Sequence, residues 1–164
     1  MTQELYFLKP GYLYVTLEPT RISTVLGSCV SVIFYDTRLR YGGMNHYVLP
    51  RNPHKGPGST KFGEDAVPEL YAQFHRFGSA AANIVARIAG GAYMDESPNS
   101  KEIAQENVLV AKRMLAAYGI PIISANTGGT KGRQVNFMSG TNEIEVLTVG
   151  QEGASRGENQ SPGR

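Results

Sequence analysis

Cys29 and His46 are the two residues of this chain whose chemistry and spacing suggest catalysis. Cys29 is the only cysteine among 164 residues, and His46 follows it by seventeen positions. A neutral thiol is a poor nucleophile at neutral pH, but a neighbouring imidazole can take its proton and leave a reactive thiolate. In this interpretation Cys29 attacks the substrate and His46 carries the proton. The alternative is that both are core residues, because a lone cysteine before an apolar strand is often simply buried.

A β-hairpin can bring these two side chains together. The run Val30–Tyr35 is rich in β-branched and aromatic residues, Asp36–Leu39 is polar, and residues 40–49 form a second extended run. With the turn at those four polar residues, the register puts Cys29 directly opposite His46. Opposed residues on antiparallel strands have Cβ atoms roughly 4.5–5.5 Å apart on one face. A shift of one residue would send the two side chains to opposite faces, so the prediction depends on the register.

The residues directly before and after the hairpin add to this hypothesis. Gly27 and Ser28 precede the cysteine, and a glycine permits a backbone bend that can aim main-chain N–H groups at a developing oxyanion. After the hairpin, residues 50–63 are rich in Pro, Gly, Lys and Ser, which predicts a long surface loop and a candidate lid. His54 in that loop is interpreted as an exposed residue.

The composition excludes several classes of function. The net charge is +2, and the 16 basic and 14 acidic residues form no basic stripe of the kind that nucleic-acid binding needs. One cysteine cannot form an internal disulfide, and no apolar run approaches the roughly 20 residues of a membrane span. We therefore expect a cytoplasmic protein without membrane insertion. Closely spaced Cys and His residues typical of zinc sites are lacking, so we expect neither a metal nor a cofactor.

The periodic patterns predict a single α+β domain. Strands are predicted at 11–17, 22–26, 30–35, 40–49, 83–89, 120–125, 133–138 and 143–149, and helices at 64–77 and 101–118. We expect a mixed, largely antiparallel β-sheet packed with two main α-helices. Residues 1–10 are predicted to be a flexible arm, 11–149 the folded domain and 150–164 a disordered tail. In the second helix, Asn107 interrupts an otherwise apolar face.

Five short motifs resemble the CheD family of chemoreceptor glutamine deamidases. They are LGSCVSV around Cys29, GGMNHYVLP around His46, and IAGGA, AYGI and NTGG farther along the chain, and the resemblance covers roughly residues 10–149. It implies a cysteine hydrolase that converts particular glutamines of methyl-accepting chemotaxis receptors to glutamate. It also implies a second partner, the phosphatase CheC.

The resemblance implies a Cys-His-Thr triad whose first two members are Cys29 and His46. The third position, six residues before the cysteine, falls on Ser23 where the family has threonine. Thr24, beside it, is the alternative if the alignment slips by one residue. In either case the hydroxyl would orient the imidazole by bonding to its other ring nitrogen.

The resemblance also directs attention to the NTGG loop. It carries Asn126 where the family usually has aspartate, and Thr127 and Gly128 are expected at the oxyanion or substrate-binding site. Two other functions remain open on the residues alone. One is a non-catalytic adaptor that docks on the receptor or on CheC, and the other is a different Cys-His hydrolase such as a protease.

Overall fold

The computed structural model describes residues 3–54 and 56–149. Within them the chain forms an α+β fold with two main helices, which confirms the predicted class. In chain order the elements are β1 (Glu4–Phe7), β2 (Leu13–Thr16), β3 (Thr20–Leu26), β4 (Val30–Asp36), β5 (Tyr41–Asn45), α1 (Gly63–Arg76), β6 (Ile84–Gly90), α2 (Pro98–Tyr118), β7 (Ile122–Thr127), β8 (Gly132–Met138) and β9 (Glu143–Val149).

The strands form two sheets rather than the one sheet expected from the sequence. The first has the order β1-β3-β8-β9 and the second the order β2-β5-β4-β6-β7. All pairs are antiparallel except β1 with β3 and β6 with β7. The chain passes from one sheet to the other between β3 and β4, where it bends at Gly27 and Ser28. These two strands are therefore consecutive in sequence but belong to different sheets.

Strand β4 lies between two hydrophobic clusters. Val32 and Phe34 pack with the two helices, whereas Ile33 and Tyr35 pack against the first sheet. Every residue of β4 is buried, as expected for a central strand with a nearly continuous apolar run. The layers are therefore the helices, the second sheet and the first sheet, in that order.

The helices begin and end close to the predicted residues, and the capping of α2 follows ordinary chemistry. The side chain of Ser97 accepts a hydrogen bond from the Ser100 N–H at 3.1 Å, and Pro98 occupies the first turn. The helix ends at Gly119, whose φ of +70° lies in the left-handed region that glycine adopts without strain.

The N-terminal segment differs from the prediction of a flexible arm. Residues 4–7 form β1, which pairs in parallel with β3, and Leu8 is fully buried with its N–H bonded to the Ser23 carbonyl at 2.8 Å. The side chains of β1 are all exposed, so the sequence carries no alternation there by which the strand could have been predicted. The tail predicted at 150–164 lies outside the described residues.

The β4–β5 hairpin forms with a register two residues away from the predicted one. The turn occupies residues 37–40, so Asp36 pairs with Tyr41, and farther along Val30 pairs with Tyr47. Asp36 fixes this turn because its carboxylate accepts the N–H groups of residues 38 and 39, both at 2.8 Å. Moving a turn by one residue changes the pairing by two, so every side chain keeps its predicted face.

Candidate active site

His46 lies just beyond the end of β5, and hydrogen bonds on both sides fix its main chain. Its N–H donates to the Tyr12 carbonyl at 3.0 Å, and its own carbonyl accepts from Gly11 at 2.7 Å. On the other side, Tyr47 exchanges two main-chain hydrogen bonds with Val30. The imidazole is 1% exposed. Both flanking strands thus determine where this side chain points.

Thr24 on β3 holds the imidazole from the first sheet. Its Oγ1 is 2.6 Å from Nδ1 of His46 and 2.8 Å from the main-chain oxygen of Leu8. A carbonyl oxygen can only accept, so the single hydroxyl proton of Thr24 is donated to Leu8. Toward His46 the hydroxyl must then accept, which requires the proton of the neutral imidazole to be on Nδ1. The lone pair is therefore on Nε2, the nitrogen that a general base uses.

The prediction that Ser23 contacts His46 is wrong. Ser23 points to the other face of β3, where its hydroxyl donates to Oδ1 of Asn136 at 2.6 Å. Thr24 shares its face with Ile22 and Leu26, which are fully buried between the sheets. Alternation of these apolar residues in the sequence was the signal that could have selected Thr24.

Cys29 lies between the bend and the start of β4, with its carbonyl bonded to the Gly91 N–H at 2.9 Å. Val30 and Tyr47 point toward the helices, so Cys29 and His46, one position before each, point into the region between the sheets. The two residues are on one face, as predicted, but they are diagonal rather than directly opposed. The Cα atoms of diagonal residues on two neighbouring strands are roughly 7–8 Å apart, and their Cβ atoms are somewhat closer.

The thiol and the imidazole are both neutral at pH 7. Burial raises the pKa of the Cys29 thiol above its ordinary value, an effect partly opposed by the main-chain N–H of the same residue. Burial lowers the pKa of His46 to about 4. Nε2 of His46 is buried and has no hydrogen-bond partner within the described part of the chain. The resting site therefore holds a protonated thiol and an unprotonated base, and Nε2 of His46 makes no hydrogen bond to the thiol.

The main chain before Cys29 is fixed through its carbonyl groups. The Gly27 carbonyl accepts from the Ala92 N–H at 2.9 Å, and the Ser28 carbonyl accepts from Nδ2 of Asn107 at 2.9 Å. A Cβ on Gly27 would lie 3.1 Å from Sδ of Met94, so the bend is also closely covered. These contacts hold the bend immediately before the thiol in one conformation.

The NTGG loop lies beside the same segment, because Gly90 pairs with both Val30 and Thr127. The N–H of Gly128 donates to the Gly90 carbonyl at 3.0 Å, so that amide is already used and does not serve as an oxyanion donor in this conformation. Thr127 and Gly128 line a cavity of about 440 Å³. Neither Cys29 nor His46 lines this cavity, which adjoins the nucleophile segment through Gly91.

Arg133 is a residue of this region that the sequence analysis missed. Its guanidinium donates to the Gly90 carbonyl at 2.6 Å and to the Gly128 carbonyl at 2.7 Å. Burial lowers the pKa of Arg133, but an arginine remains charged at neutral pH. The side chain thus fixes the NTGG loop against β6, and no local pattern in the sequence indicates it.

The other histidines lie apart from the site. His54 is exposed, in agreement with its interpretation as a loop residue, and His75 is exposed on α1. Among the described residues, no group of three His, Cys, Asp or Glu side chains is arranged to hold a metal ion. No helix in the described ranges is long and apolar enough to cross a membrane.

Comparison with known proteins identifies the family. The family model for CheD chemotactic sensory transduction matches residues 48–148, more than half of the chain. The probable chemoreceptor glutamine deamidase CheD of Rhodospirillum rubrum is 38% identical over 144 residues, covering 87% of this chain and 81% of that protein. This chain belongs to the CheD family. The resemblance of the five motifs is thereby confirmed.

Further CheD relatives extend the match over the active-site region. The probable chemoreceptor glutamine deamidase CheD of Sulfurimonas denitrificans is 32% identical over 151 residues, covering 91% of this chain and 97% of that protein. A CheD relative from Anaeromyxobacter dehalogenans is 39% identical over 132 residues. The family model begins after Cys29 and His46, but a match over 91% of this chain must include both residues.

Proposed function

We propose that this chain is a chemoreceptor glutamine deamidase in which Cys29 is the nucleophile, His46 the general base and acid, and Thr24 the residue that orients His46. The substrate is a glutamine side chain on the cytoplasmic part of a methyl-accepting chemotaxis receptor. Its CheD relatives carry the name of this activity. The observation that carries the residue assignment is the Thr24–His46 hydrogen bond of 2.6 Å, since it leaves the lone pair of the imidazole on Nε2.

The first half of the reaction forms a thioester. Nε2 of His46 takes the thiol proton as Sγ of Cys29 attacks the carboxamide carbon. The tetrahedral intermediate carries its negative charge on the former carbonyl oxygen. The imidazolium then donates its proton to the amide nitrogen, the C–N bond breaks, and ammonia leaves. The side chain remains attached to Cys29 as a thioester.

The second half of the reaction uses water. Nε2 of His46 removes a proton from a water molecule as the water oxygen attacks the thioester carbon. The C–S bond then breaks, the sulfur regains the proton from the imidazolium, and the product carboxylic acid ionises to glutamate. Cys29 and His46 return to their neutral resting forms, which the pKa of His46, lowered to about 4, favours at neutral pH.

The oxyanion is stabilised by main-chain N–H groups of the bend before β4. Gly27 and Ser28 form this bend, and their carbonyls are bonded away from the site, which fixes the orientation of the peptide groups that follow. Thr127 and Gly128 contact the substrate in the adjacent cavity. Attack by the half-buried thiol on an immobilised carboxamide then needs little rearrangement of the protein.

We propose two partners for this chain. The receptor's cytoplasmic part is a long helical hairpin, so the cytoplasmic enzyme docks on a helix surface that presents the glutamine. CheC is a second partner that competes with the receptor. A non-catalytic adaptor is the less favoured alternative, because an adaptor needs neither Cys29 nor the Thr24–His46 hydrogen bond. The chain has both.

The decisive experiment tests the nucleophile. Purified protein and its Cys29→Ala variant are incubated with a receptor cytoplasmic fragment, and conversion of glutamine to glutamate is mapped by peptide mass spectrometry. We expect conversion by the wild type and none by Cys29→Ala, with both proteins folded. Equal conversion by the two proteins would reject Cys29 as the nucleophile. Absence of conversion by the folded wild type would favour the adaptor.

A further inference from the structure

Asn107 is a fully buried polar residue on the inner side of α2. A carboxamide in such a position costs free energy unless it is hydrogen-bonded, so its partners reveal why it is tolerated there. It does not bond to its own helix through the side chain. Its bonds lead to the two segments that carry Cys29 and His46.

Three hydrogen bonds connect this one residue with both segments. Nδ2 donates to the Ser28 carbonyl at 2.9 Å and to the Val48 carbonyl at 3.0 Å. The main-chain carbonyl of Asn107 accepts from the hydroxyl of Tyr47. Ser28 directly precedes Cys29, and Tyr47 directly follows His46. One side chain of α2 therefore bridges the nucleophile segment and the base segment.

The bridge occurs where the strand pairing no longer holds these segments. Strand β5 ends at Asn45, and beyond it the only pairing of this hairpin in the described residues is the isolated bridge between Val30 and Tyr47. The Ser28 and Val48 carbonyls lie outside that bridge. The single NH₂ group of Asn107 joins these two carbonyls directly.

Helix α2 is packed closely against the same part of the main chain. A Cβ on Gly91 would lie 2.5 Å from Cγ2 of Val108, the residue after Asn107. The N–H of Gly91 in turn donates to the Cys29 carbonyl at 2.9 Å. Contacts of this kind prevent α2 from shifting to follow a movement of the two segments, so Asn107 is a fixed point of reference.

The carboxamide uses only one of its two ends. Oδ1 of Asn107 is buried and accepts no hydrogen bond within the described part of the chain. An unsatisfied buried acceptor costs free energy, and such a group in a folded protein calls for an explanation. The NH₂ group, by contrast, makes two bonds, one to each segment.

We propose that Asn107 is a positioning residue of the deamidase, which sets the distance between the Cys29 thiol and Nε2 of His46 by holding the Ser28 and Val48 carbonyls on one NH₂ group. This inference rests on the proposed function for its activity readout. The thiol and the imidazole are diagonal neighbours. The distance between them therefore depends more strongly on the spacing of the two segments than the distance within a directly opposed pair does. A misplacement of about 1 Å in such a pair lowers the rate on the order of 10²-fold.

Asn107→Ala is compared with Asn136→Ala, which removes another fully buried carboxamide. Asn136 bonds to Ser23 and Glu145 on the outer side of the first sheet, away from the site. For each variant we measure thermal unfolding, kcat and KM on a receptor fragment, and the rate of iodoacetamide alkylation of Cys29 across pH. Wild type and His46→Ala provide the two reference alkylation profiles. Asn107→Asp, which has the same shape but lacks the NH₂ group, is the second variant.

We expect both Asn107 variants to lower kcat about 10²-fold with little change in KM. Their alkylation profiles should move toward that of His46→Ala, while Asn136→Ala keeps wild-type kcat and alkylation at a comparable loss of unfolding temperature. Wild-type alkylation and kcat in a folded Asn107 variant would overturn the positioning role. So would failure of both Asn107 variants to fold where Asn136→Ala folds. Alkylation that depends on His46 without receptor conversion would instead reject the proposed function and leave the alkylation test of Asn107 valid.

Discussion

At the scale of single residues, the hydroxyl proton of Thr24 determines the tautomer of His46. Thr24 donates it to the Leu8 carbonyl and therefore accepts from Nδ1 of His46. The imidazole must then have its lone pair on Nε2, which is buried and makes no hydrogen bond within the described part of the chain. In the proposed mechanism Thr24 therefore acts through the tautomer and the orientation of the ring, without touching the substrate.

Removal of this hydroxyl should lower the rate while leaving the nucleophile in place. Thr24→Val keeps a β-branched side chain of similar shape, but it leaves Nδ1–H of His46 without an acceptor, and we expect a loss of about 10²-fold in the initial deamidation rate. Thr24→Ser keeps the hydroxyl and loses only the methyl group that restricts χ1, so most of the activity should remain. The measurement is glutamate formation on one receptor fragment.

Ser23→Ala is the matched control for that experiment. Ser23 is the adjacent hydroxyl residue on β3, and it bonds to Asn136 on the opposite face. Its removal should leave the rate close to that of the wild type. A larger loss in Ser23→Ala than in Thr24→Val would contradict the assignment of the third triad residue.

At the scale of elements, β1 and the residue after it complete the site from the N-terminus. Leu8 is fully buried in the cluster between the sheets, and its carbonyl is the acceptor that fixes the Thr24 proton. The β4–β5 hairpin supplies Cys29 and His46, and α2 closes the site with Asn107. Elements from distant parts of the chain therefore contact Thr24 or the segments that carry Cys29 and His46.

The burial of Leu8 predicts that its substitution strongly destabilises the fold, although the sequence of this segment suggests a flexible arm. Leu8→Ala should lower the free energy of unfolding by about 2–5 kcal/mol, because it removes the side chain from a packed cluster and leaves a cavity. Leu5→Ala, at a side chain that is 73% exposed, should change it by less than about 0.5 kcal/mol. Urea unfolding of both variants measures the difference. Equal, small effects would mean that this segment is not part of the folded domain.

At the scale of the whole molecule, the docking of one sheet on the other creates the environment of the base. His46 belongs to the second sheet, but the first sheet covers it and leaves it 1% exposed. Burial lowers its pKa to about 4 from the 6.5 of an exposed histidine. Since the unfolded chain binds a proton on this residue at a higher pH than the folded chain does, folding and protonation of His46 oppose each other.

This linkage predicts how stability depends on pH. Above about pH 6.5 the imidazole is neutral in both the folded and the unfolded state, so its protonation does not affect the free energy of unfolding. As the pH falls from about 6.5 to about 4, the unfolded state gains the proton first, and the free energy of unfolding decreases by an amount on the order of 3 kcal/mol. The measurement is urea unfolding of the wild type and His46→Gln at several pH values.

The stability difference between the two proteins should change over that interval and be constant above it. His75→Gln, at an exposed histidine, is the control and should follow the wild type. A difference between the wild type and His46→Gln that stays constant from pH 7 to about pH 4 would contradict a neutral, buried His46.

The sequence determined the helices, most of the strands and the shared face of Cys29 and His46, because these depend on local periodicity, caps and turns. The prediction that both side chains share a face was unaffected by the error of two residues in the register, because strand alternation has a period of two. The sequence also shows the alternation that places Thr24 on the same face as the buried side chains of β3. The contact of Thr24 with His46 joins two sheets, and it leaves no local signal in the sequence.

Only the tertiary structure decided which residues complete the site. The separation of the strands into two sheets, the Leu8 carbonyl that fixes the Thr24 proton, and the NH₂ group of Asn107 between two distant segments all depend on packing between elements far apart in sequence. A polar residue on an apolar helix face was visible in the sequence, but its partners were not. Periodicity specifies which way a side chain points, whereas the packing of whole elements specifies what it meets there.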